Sequence, residues 1–548
     1  MIPFGGELDQ SSDHSDHYML RNSVNYSKTF NEKHYFDATA GLEVNSSRNK
    51  GFASLSRGYL HDNGKKFAKI DPSEYYLYNQ WLTNYSPSVT DATTNSISYY
   101  GILTYAYNDK YIFNFNIRED GSNQFGQNDN NRFNAIWSSS VRWNIHKESF
   151  LQNVKWLNNL ALRGSYGTQG NALKSSPNLI AQSNGVNGIS GQYESSLRSL
   201  ENPNLTWEKT TSYNIGLDFM VLHGRLRGSL EHYRKKGEDL IVSRQVSVVN
   251  GIGFQDINKG DMLNKGFEGS LSAELIRKKD FGLKLNMNFY KNINEVTKSG
   301  IDDNYNYSDY LNGDLVVKGN PVGGFYSYKF AGLDEKGLPT FHDIEEPEHP
   351  TKEQMYDQVF TYSGNLNPDI SGGFSLGVNY KNWSLNCSFT YSLGFDVRLA
   401  RLYSSDGQSL PTPDQNMSAE FVNRWRKPGD ENHTNIPVIS DDFLHMSAER
   451  STREIEIADN MWEMYNMSDL RVVPGDFLRL QNVSLSYQVP RKICDKMRIK
   501  GMSFRFSASN LFLWADSRLE GQDPEHMGLG NGTTPPLKSY GTGININF

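Results

Sequence analysis

The 548-residue sequence contains only two cysteines, Cys387 and Cys494. The first reads as a strand residue and the second lies near a turn, so neither a disulfide framework nor a cysteine metal site is expected. No run of roughly eighteen apolar residues occurs, which excludes a membrane-spanning helix. A spanning barrel escapes that exclusion, because only alternate residues of its strands need be apolar. There is no basic block, and Lys+Arg 55 against Asp+Glu 62 leave a net charge of −7, so nucleic acid is not an expected partner. Residues 1–30 lack a basic start followed by an apolar core, so no signal peptide is expected. A barrel protein without one is expected to be incomplete or trimmed. Nor is there a discernible grouping of nucleophile, base and orienting residue, so neither enzymatic activity nor a cofactor is expected. Gly251-Ile252-Gly253 lacks the third glycine and the following helix that a dinucleotide site needs.

What remains is aromatic and polar at once: aromatics make up 13%, mean hydropathy is −0.63, and there are 47 glycines. The chain is too long for one soluble core, yet shows no division into domains. A barrel resolves this, since it grows by adding strands around a circumference. The stretch Ser539–Phe548 carries the pattern most plainly. Tyr540, Thr542, Ile544, Ile546 and Phe548 alternate with Ser539, Gly541, Gly543, Asn545 and Asn547. A period of two gives a strand one apolar and one polar face, and about ten residues cross a bilayer when tilted.

The same text recurs along the chain. It marks strands at Tyr18–Tyr26, His34–Val44, Ile97–Tyr107, Lys110–Asp120, Phe133–Ile145, Asn158–Gly167 and Thr206–Met220. Further strands fall at Arg225–Lys236, Lys265–Leu275, Phe281–Ile293, Ile370–Lys381, Trp383–Leu393, Phe477–Val489 and Met502–Phe512. With the last stretch, about fifteen strands are expected. Tight turns such as Asn108-Asp109, His223-Gly224 and Lys381-Asn382 alternate with long polar connections at 45–96, 168–205, 294–369, 394–476 and 513–538. Short turns on one rim and long loops on the other describe an all-β, antiparallel, up-and-down transmembrane barrel of the bacterial outer membrane, its C-terminus periplasmic and its long loops extracellular. Counting back from the end, Tyr18 begins a strand at the long-loop rim. A barrel beginning in the periplasm would then need at least one earlier strand. The expectation is an incomplete wall, with Tyr18–Tyr26 and Ser539–Phe548 at its two edges.

Candidate ligand contacts lie in the loops. Tyr305, Tyr307 and Tyr310 offer flat rings for stacking on a sugar, or serve loop packing. Trp137, Trp143 and Trp383, at or near strand ends, read as the aromatic girdle. The acidic stretch Asp120–Asn131 lacks calcium-loop spacing and a closing bidentate Glu. His433 and His445, on a long loop with no third ligand nearby, read as solvated.

Several stretches, in order and spacing, carry a family likeness. They are Tyr18-Met19-Leu20-Arg21-Asn22 with Ser27-Lys28-Thr29-Phe30, Arg118-Glu119-Asp120-Gly121-Ser122-Asn123-Gln124-Phe125-Gly126, and Leu162-Arg163-Gly164-Ser165-Tyr166-Gly167. Others are Asn202-Pro203-Asn204-Leu205-Thr206-Trp207-Glu208, Asn367-Pro368-Asp369-Ile370-Ser371-Gly372-Gly373-Phe374, Phe477-Leu478-Arg479-Leu480-Gln481-Asn482-Val483 and Ser509-Asn510-Leu511-Phe512. Together they resemble the SusC/RagA family of TonB-dependent outer-membrane transporters. The resemblance implies a 22-stranded barrel around an N-terminal plug. It also implies a SusD-like surface lipoprotein that captures glycan or peptide, and uptake driven by TonB contacting an N-terminal box. Signal peptide, TonB box, plug and first strands have no counterpart in this sequence. The chain is therefore expected to supply, over residues 1–548, the C-terminal portion of a nutrient importer's barrel. The alternative is a passive pore or surface receptor without a plug.

Overall fold

The computed structural model describes residues 5–69, 71, 87–123, 133–171, 178–187, 190–299, 307–342, 352–403, 416–440, 460–530 and 534–548. The main sheet has 16 strands, and fifteen of them neighbour one another in chain order. They are β1 (Gly6–Phe30), β2 (His34–Leu60), β3 (Ser88–Tyr107), β4 (Tyr111–Ser122), β5 (Phe133–Trp143), β6 (Leu157–Asn171), β7 (Glu208–Val221) and β8 (Leu226–Gln245). The rest are β9 (Phe254–Arg277), β10 (Phe281–Lys298), β11 (Ile370–Tyr380), β12 (Trp383–Leu393), β13 (Phe477–Gln488), β14 (Gly501–Trp514) and β15 (Ser539–Asn547). The two-residue strand Lys66–Phe67 pairs with β2 off this path. The order begins at β1, whose ladder partner is β2, and ends at β15, whose ladder partner is β14. Thus the expected number of strands and their up-and-down order are found.

Turn chemistry fixes the hairpins. Asn108 and Asp109 have φ of 52° and 53°, and Asn31 and Glu32 have 48° and 55°. Two central residues at positive φ make the mirror-image turn that matches strand twist, and Lys110 N–H closes the first of these onto Tyr107 O at 2.9 Å.

The chain forms two compact units, one of residues 1–140, 167–209 and 246–257, the other of 141–166, 210–245 and 258–548. In the first unit the strands outrun their expected ends. β1, β2 and β3 have 25, 27 and 20 residues. At ~3.3 Å per residue the longest reaches about 90 Å, against ~30 Å of hydrocarbon. Most of the described residues in the connection expected at 45–96 are therefore strand. Apolar alternation marks only the part of a strand that has one face on lipid. Beyond it the ladder continues on backbone bonds and polar cross-strand pairs. Ser15 Oγ donates to Asn49 at 2.7 Å, Ser46 Oγ to Asn95 at 2.8 Å, and Arg48 forms an ion pair with Asp91 at 2.6 Å.

In the second unit the register aligns rows across seven strands. Ala273, Leu285, Leu376, Cys387, Val483, Ala508 and Tyr540 stand side by side from β9 to β15. One residue along, the row reads Ser272, Asn286, Ser375, Ser388, Asn482, Ser509 and Ser539. A slip of one residue in any ladder would mix the rows, so the alternation itself holds the register.

The long connections 294–369 and 394–476 were expected as loops, and many of their described residues fold. They contain α1 (Tyr307–Asn312), α2 (Lys352–Val359), α3 (Met461–Asn466) and short ribbons, Gly324–Tyr328 with Phe360–Asn365 and Asp396–Arg398 with Val472–Pro474. Their apolar residues make a true core: Tyr310, Leu311, Tyr328, Tyr356, Phe360, Tyr403, Met461, Trp462 and Tyr465 are buried together. Asn460 caps α3 by accepting from Trp462 N and Glu463 N at 3.0 and 2.9 Å. Arg398, 1% exposed, donates to Leu311 O at 3.2 Å and to Tyr326 O at 2.8 Å, with Phe325 beneath its guanidinium. Burial pulls its pKa down to about 10. Gly337, at φ 79°, lies so close to Trp425 that an added Cβ would meet the ring at 2.4 Å. Glycine is required there twice over.

Candidate functional site

The polar face of β10–β14 bears a cavity of about 680 Å³ at the end where the long connections attach. Strand alternation supplies its floor. Asn288 and Tyr290 come from β10, Gly373 from β11, Thr390 and Ser392 from β12, and Arg479 and Gln481 from β13. Asn288, Gly373, Thr390 and Arg479 are register partners in one row. The ladder shifts between Ser388 and Phe389 and between Leu480 and Asn482, and this bulge brings Gln481 and Asn510 into the lining. A strap from the connection after β14, with Pro524, Glu525 and Gly528, forms the far side.

Arg479 fastens that strap. It is 7% exposed, and one guanidinium nitrogen, Nη2, donates to both Asp523 oxygens at 2.6 Å and pairs with Glu525 at 3.0 Å. Its guanidinium also lies over Phe477, which packs with Phe395, Val397, Val473, Leu519 and Met527. Asp523 in turn accepts from Glu525 N and so starts the short 3₁₀ turn Pro524–His526. Asp523, Glu525 and His526 stand close enough to gather a cation, but both acids already face Arg479, which neutralises part of their charge. The rest of the lining mixes amides and hydroxyls with aromatic rings and with the aliphatic groups of Leu366, Pro368 and Val397. Such a surface exchanges hydrogen bonds with a solute and lets it stack, without demanding charge.

The sequence-derived candidates lie elsewhere. Tyr305 falls outside the described residues. Tyr307 is half-buried on α1 and packs against the loop core. Tyr310 is buried, stacked on Phe360 at 5.4 Å and edge-on to Tyr356 at 4.9 Å. The aromatic residues that line the cavity are Tyr290, Tyr391, Phe395 and Phe477. Trp383 is 46% exposed beside Tyr487 at the tight-turn end of β12, as a girdle residue would be. Asp120 accepts from Arg118 at 2.7 Å, and the rest of the supposed calcium stretch from residue 124 on lies outside the described residues. His433 is exposed, and His445 lies outside them. Sequence reading missed the Arg479–Asp523 pair, whose members are 44 residues apart. The turn text Glu520-Gly521-Gln522-Asp523-Pro524 signals a turn there, but nothing in it points to its partner.

A family profile described as "TonB dependent receptor-like, beta-barrel" matches residues 4–341. TonB-dependent receptor P3 of Formosa agariphila is 26% identical over 99% of this chain and 53% of its own length. TonB-dependent receptor SusC of Bacteroides thetaiotaomicron is 28% identical over 83% of this chain and 44% of its own length. Among solved structures, the RagAB peptide transporter superposes with a TM-score of 0.77 at 23% identity, over 99% of this chain and 56% of that one. The chain spans about half the length of the curated relatives it matches.

Proposed function

Since the chain belongs to the TonB-dependent receptor-like β-barrel family, whose members sit in the bacterial outer membrane, we propose that it forms barrel wall for a SusC/RagA-like importer of glycan or peptide. In this reading residues 1–548 are the C-terminal barrel portion. The apolar rows meet outer-membrane lipid, the long connections are extracellular, and the C-terminus is periplasmic. A SusD-like surface lipoprotein delivers solute from outside, TonB supplies energy through a plug-bearing segment, and the wall itself does no catalysis. The observation that carries the reading is the cavity on the polar face, placed at the long-loop end and walled by a strap that one buried arginine holds down. Tyr305, Tyr307 and Tyr310 stay in the proposal as ligand-binding residues of the loops, Tyr307 through the accessible part of its ring and the buried Tyr310 by anchoring α1.

Uptake measured in cells expressing the full transporter tests this. Collapsing the proton gradient stops uptake by an importer and leaves a passive pore conducting, so continued entry would favour the alternative of a plugless pore. Asn288→Leu should weaken solute binding at the cavity by about tenfold, in line with one or two lost hydrogen bonds. Tyr307→Ala should weaken capture by less than that.

A further inference from the structure

We infer that the tight-turn rim of the second unit binds an anionic phospholipid, its phosphate held by basic turns and its acyl chains laid on the apolar rows. This rests on the orientation proposed above, in which the tight turns meet the periplasmic leaflet. The apolar face of β10–β14 ends in a row of rings. Phe281, Tyr380, Trp383, Tyr487 and Phe504 are register partners on five successive strands. Each stands four residues along its strand from the row of Leu285 and Leu376, and an even step keeps it on the same face. Trp383 packs on Tyr487 at 4.6 Å, and Tyr380, Trp383 and Phe504 are exposed. Rings so placed mark the level where hydrocarbon gives way to headgroups.

Just past this row the turns β9–β10, β11–β12 and β13–β14 are basic. Residues 278–280, 381–382 and 489–500 hold eight Lys or Arg against two acids, in a chain whose net charge is −7. Lys278, Lys279 and Lys381 are exposed, and Lys381 Nζ lies 5.4 Å from the centre of the Tyr380 ring. In the longest of these turns, α4 (Arg491–Lys496) is pinned by Cys494, 1% exposed, whose thiol donates to Val489 O at 3.7 Å. Residues four apart share a helix face, so Lys492 and Lys496 form one stripe and Ile493 and Met497 the next. Ile493 and Met497 are both exposed. Arg491 meets Asp495 at 3.7 Å in a solvent-exposed pair, which leaves its charge largely available. Among the described residues no ion pair engages Lys492, Lys496, Arg498 or Lys500.

Neighbouring turns lie two strand spacings apart, about 10 Å, so their charges make a band along the rim and not a patch. The aromatic row sets that band at headgroup level. Apolar Ile493 and Met497 beside two lysines can sink into a lipid interface while the ammonium groups reach up to phosphates. Clustered Lys and Arg at the edge of the hydrocarbon attract anionic lipid.

The full transporter that carries this chain, in detergent micelles, is offered equal amounts of phosphatidylglycerol and phosphatidylcholine with the same acyl chains. Retained lipid is read by native mass spectrometry. The inference predicts phosphatidylglycerol held about tenfold over phosphatidylcholine in dilute ammonium acetate, the preference falling severalfold as the salt rises to about 0.5 M. The variant Lys492→Gln, Lys496→Gln, Arg498→Gln should bring the preference to within about twofold. Removing three charges from the long connections, by Lys318→Gln, Lys336→Gln and Lys427→Gln, should leave it unchanged. No preference in the unsubstituted protein, a preference that salt does not move, or equal loss in both variants overturns the band. Retention of soluble poly-glutamate ahead of both lipids also overturns it, by assigning the rim to an acidic polypeptide. The orientation is read separately, with a membrane-impermeant amine reagent on intact cells, which should leave Lys492 and Lys496 unlabelled. Labelling there would overturn the proposed orientation and the band with it, whereas a missing lipid preference with those lysines protected overturns the band alone.

Discussion

Leu285 and Trp462 are both large apolar side chains of the second unit, yet their surroundings differ in kind. Leu285 is half-buried on a single-layered sheet, between Ala273 on one neighbouring strand and Leu376 on the other. Trp462 is 0% exposed, stacked on Tyr403 at 4.6 Å inside the loop core. In the wall, backbone ladders hold the strands and the side chains only sort which face meets which medium. In the connections the ladders are short two-stranded ribbons, and close packing of aromatic rings does most of the work. The wall can therefore present polar groups all along one face, because its stability does not depend on them. The connections can hold a shaped rim because they have a core of their own.

Removing packing should strike the connections hardest. Trp462→Ala is expected to cost about 3–5 kcal/mol of local stability. It should appear as lost hydrogen-exchange protection in 307–342 and 396–403, with β10–β13 unchanged. Equal loss in the wall would erase the distinction between the regions. Charge should sort the faces of the wall. Leu285→Arg at mid-strand should cost about 2–4 kcal/mol in a refolding titration, and Asn286→Arg close to nothing. Similar costs for both would mean the rows are misassigned.

The alkaline limb sharpens the comparison at smaller scale. Burial pushes the Tyr356 and Tyr465 hydroxyls up to about 12, and Tyr403 higher still. Below about pH 10 these phenols are neutral whether or not the core is formed. As pH rises from about 10 towards 12, the unfolded form loses its protons first, so stability is present below that window and lost across it. The loop core should loosen there while wall amides stay protected, followed by phenolate absorbance and hydrogen exchange together. Ionisation near pH 10 with no loosening would show that these rings are wet.

Much of the wall was legible in the sequence because period two is a local signal. Trp383–Leu393 has the expected bounds, and Asn108-Asp109 makes the expected turn. The extensions of β1–β3 were not legible, since strands beyond the lipid have no reason to alternate. The loop core was hidden for another reason. Tyr310, Tyr403 and Trp462 are scattered over 153 residues and sit on helices of six residues or on none. Neither feature gives a periodic signal long enough to read. Tyr310 showed this most directly, since a tyrosine-rich loop reads the same whether its rings face a ligand or one another. The Arg479–Asp523 fastening was out of reach because partner choice across 44 residues is decided by the register of β13 and β14.

The alternation of faces in the wall is read most directly by a nitroxide scan of Leu283 to Tyr290 in lipid vesicles. Labels at 283, 285, 287 and 289 should relax with oxygen dissolved in lipid, and labels at 284, 286, 288 and 290 with a water-soluble nickel complex. A scan with no period of two, or with the two sets exchanged, would contradict the assignment of lipid and polar faces on which the cavity and the import reading depend.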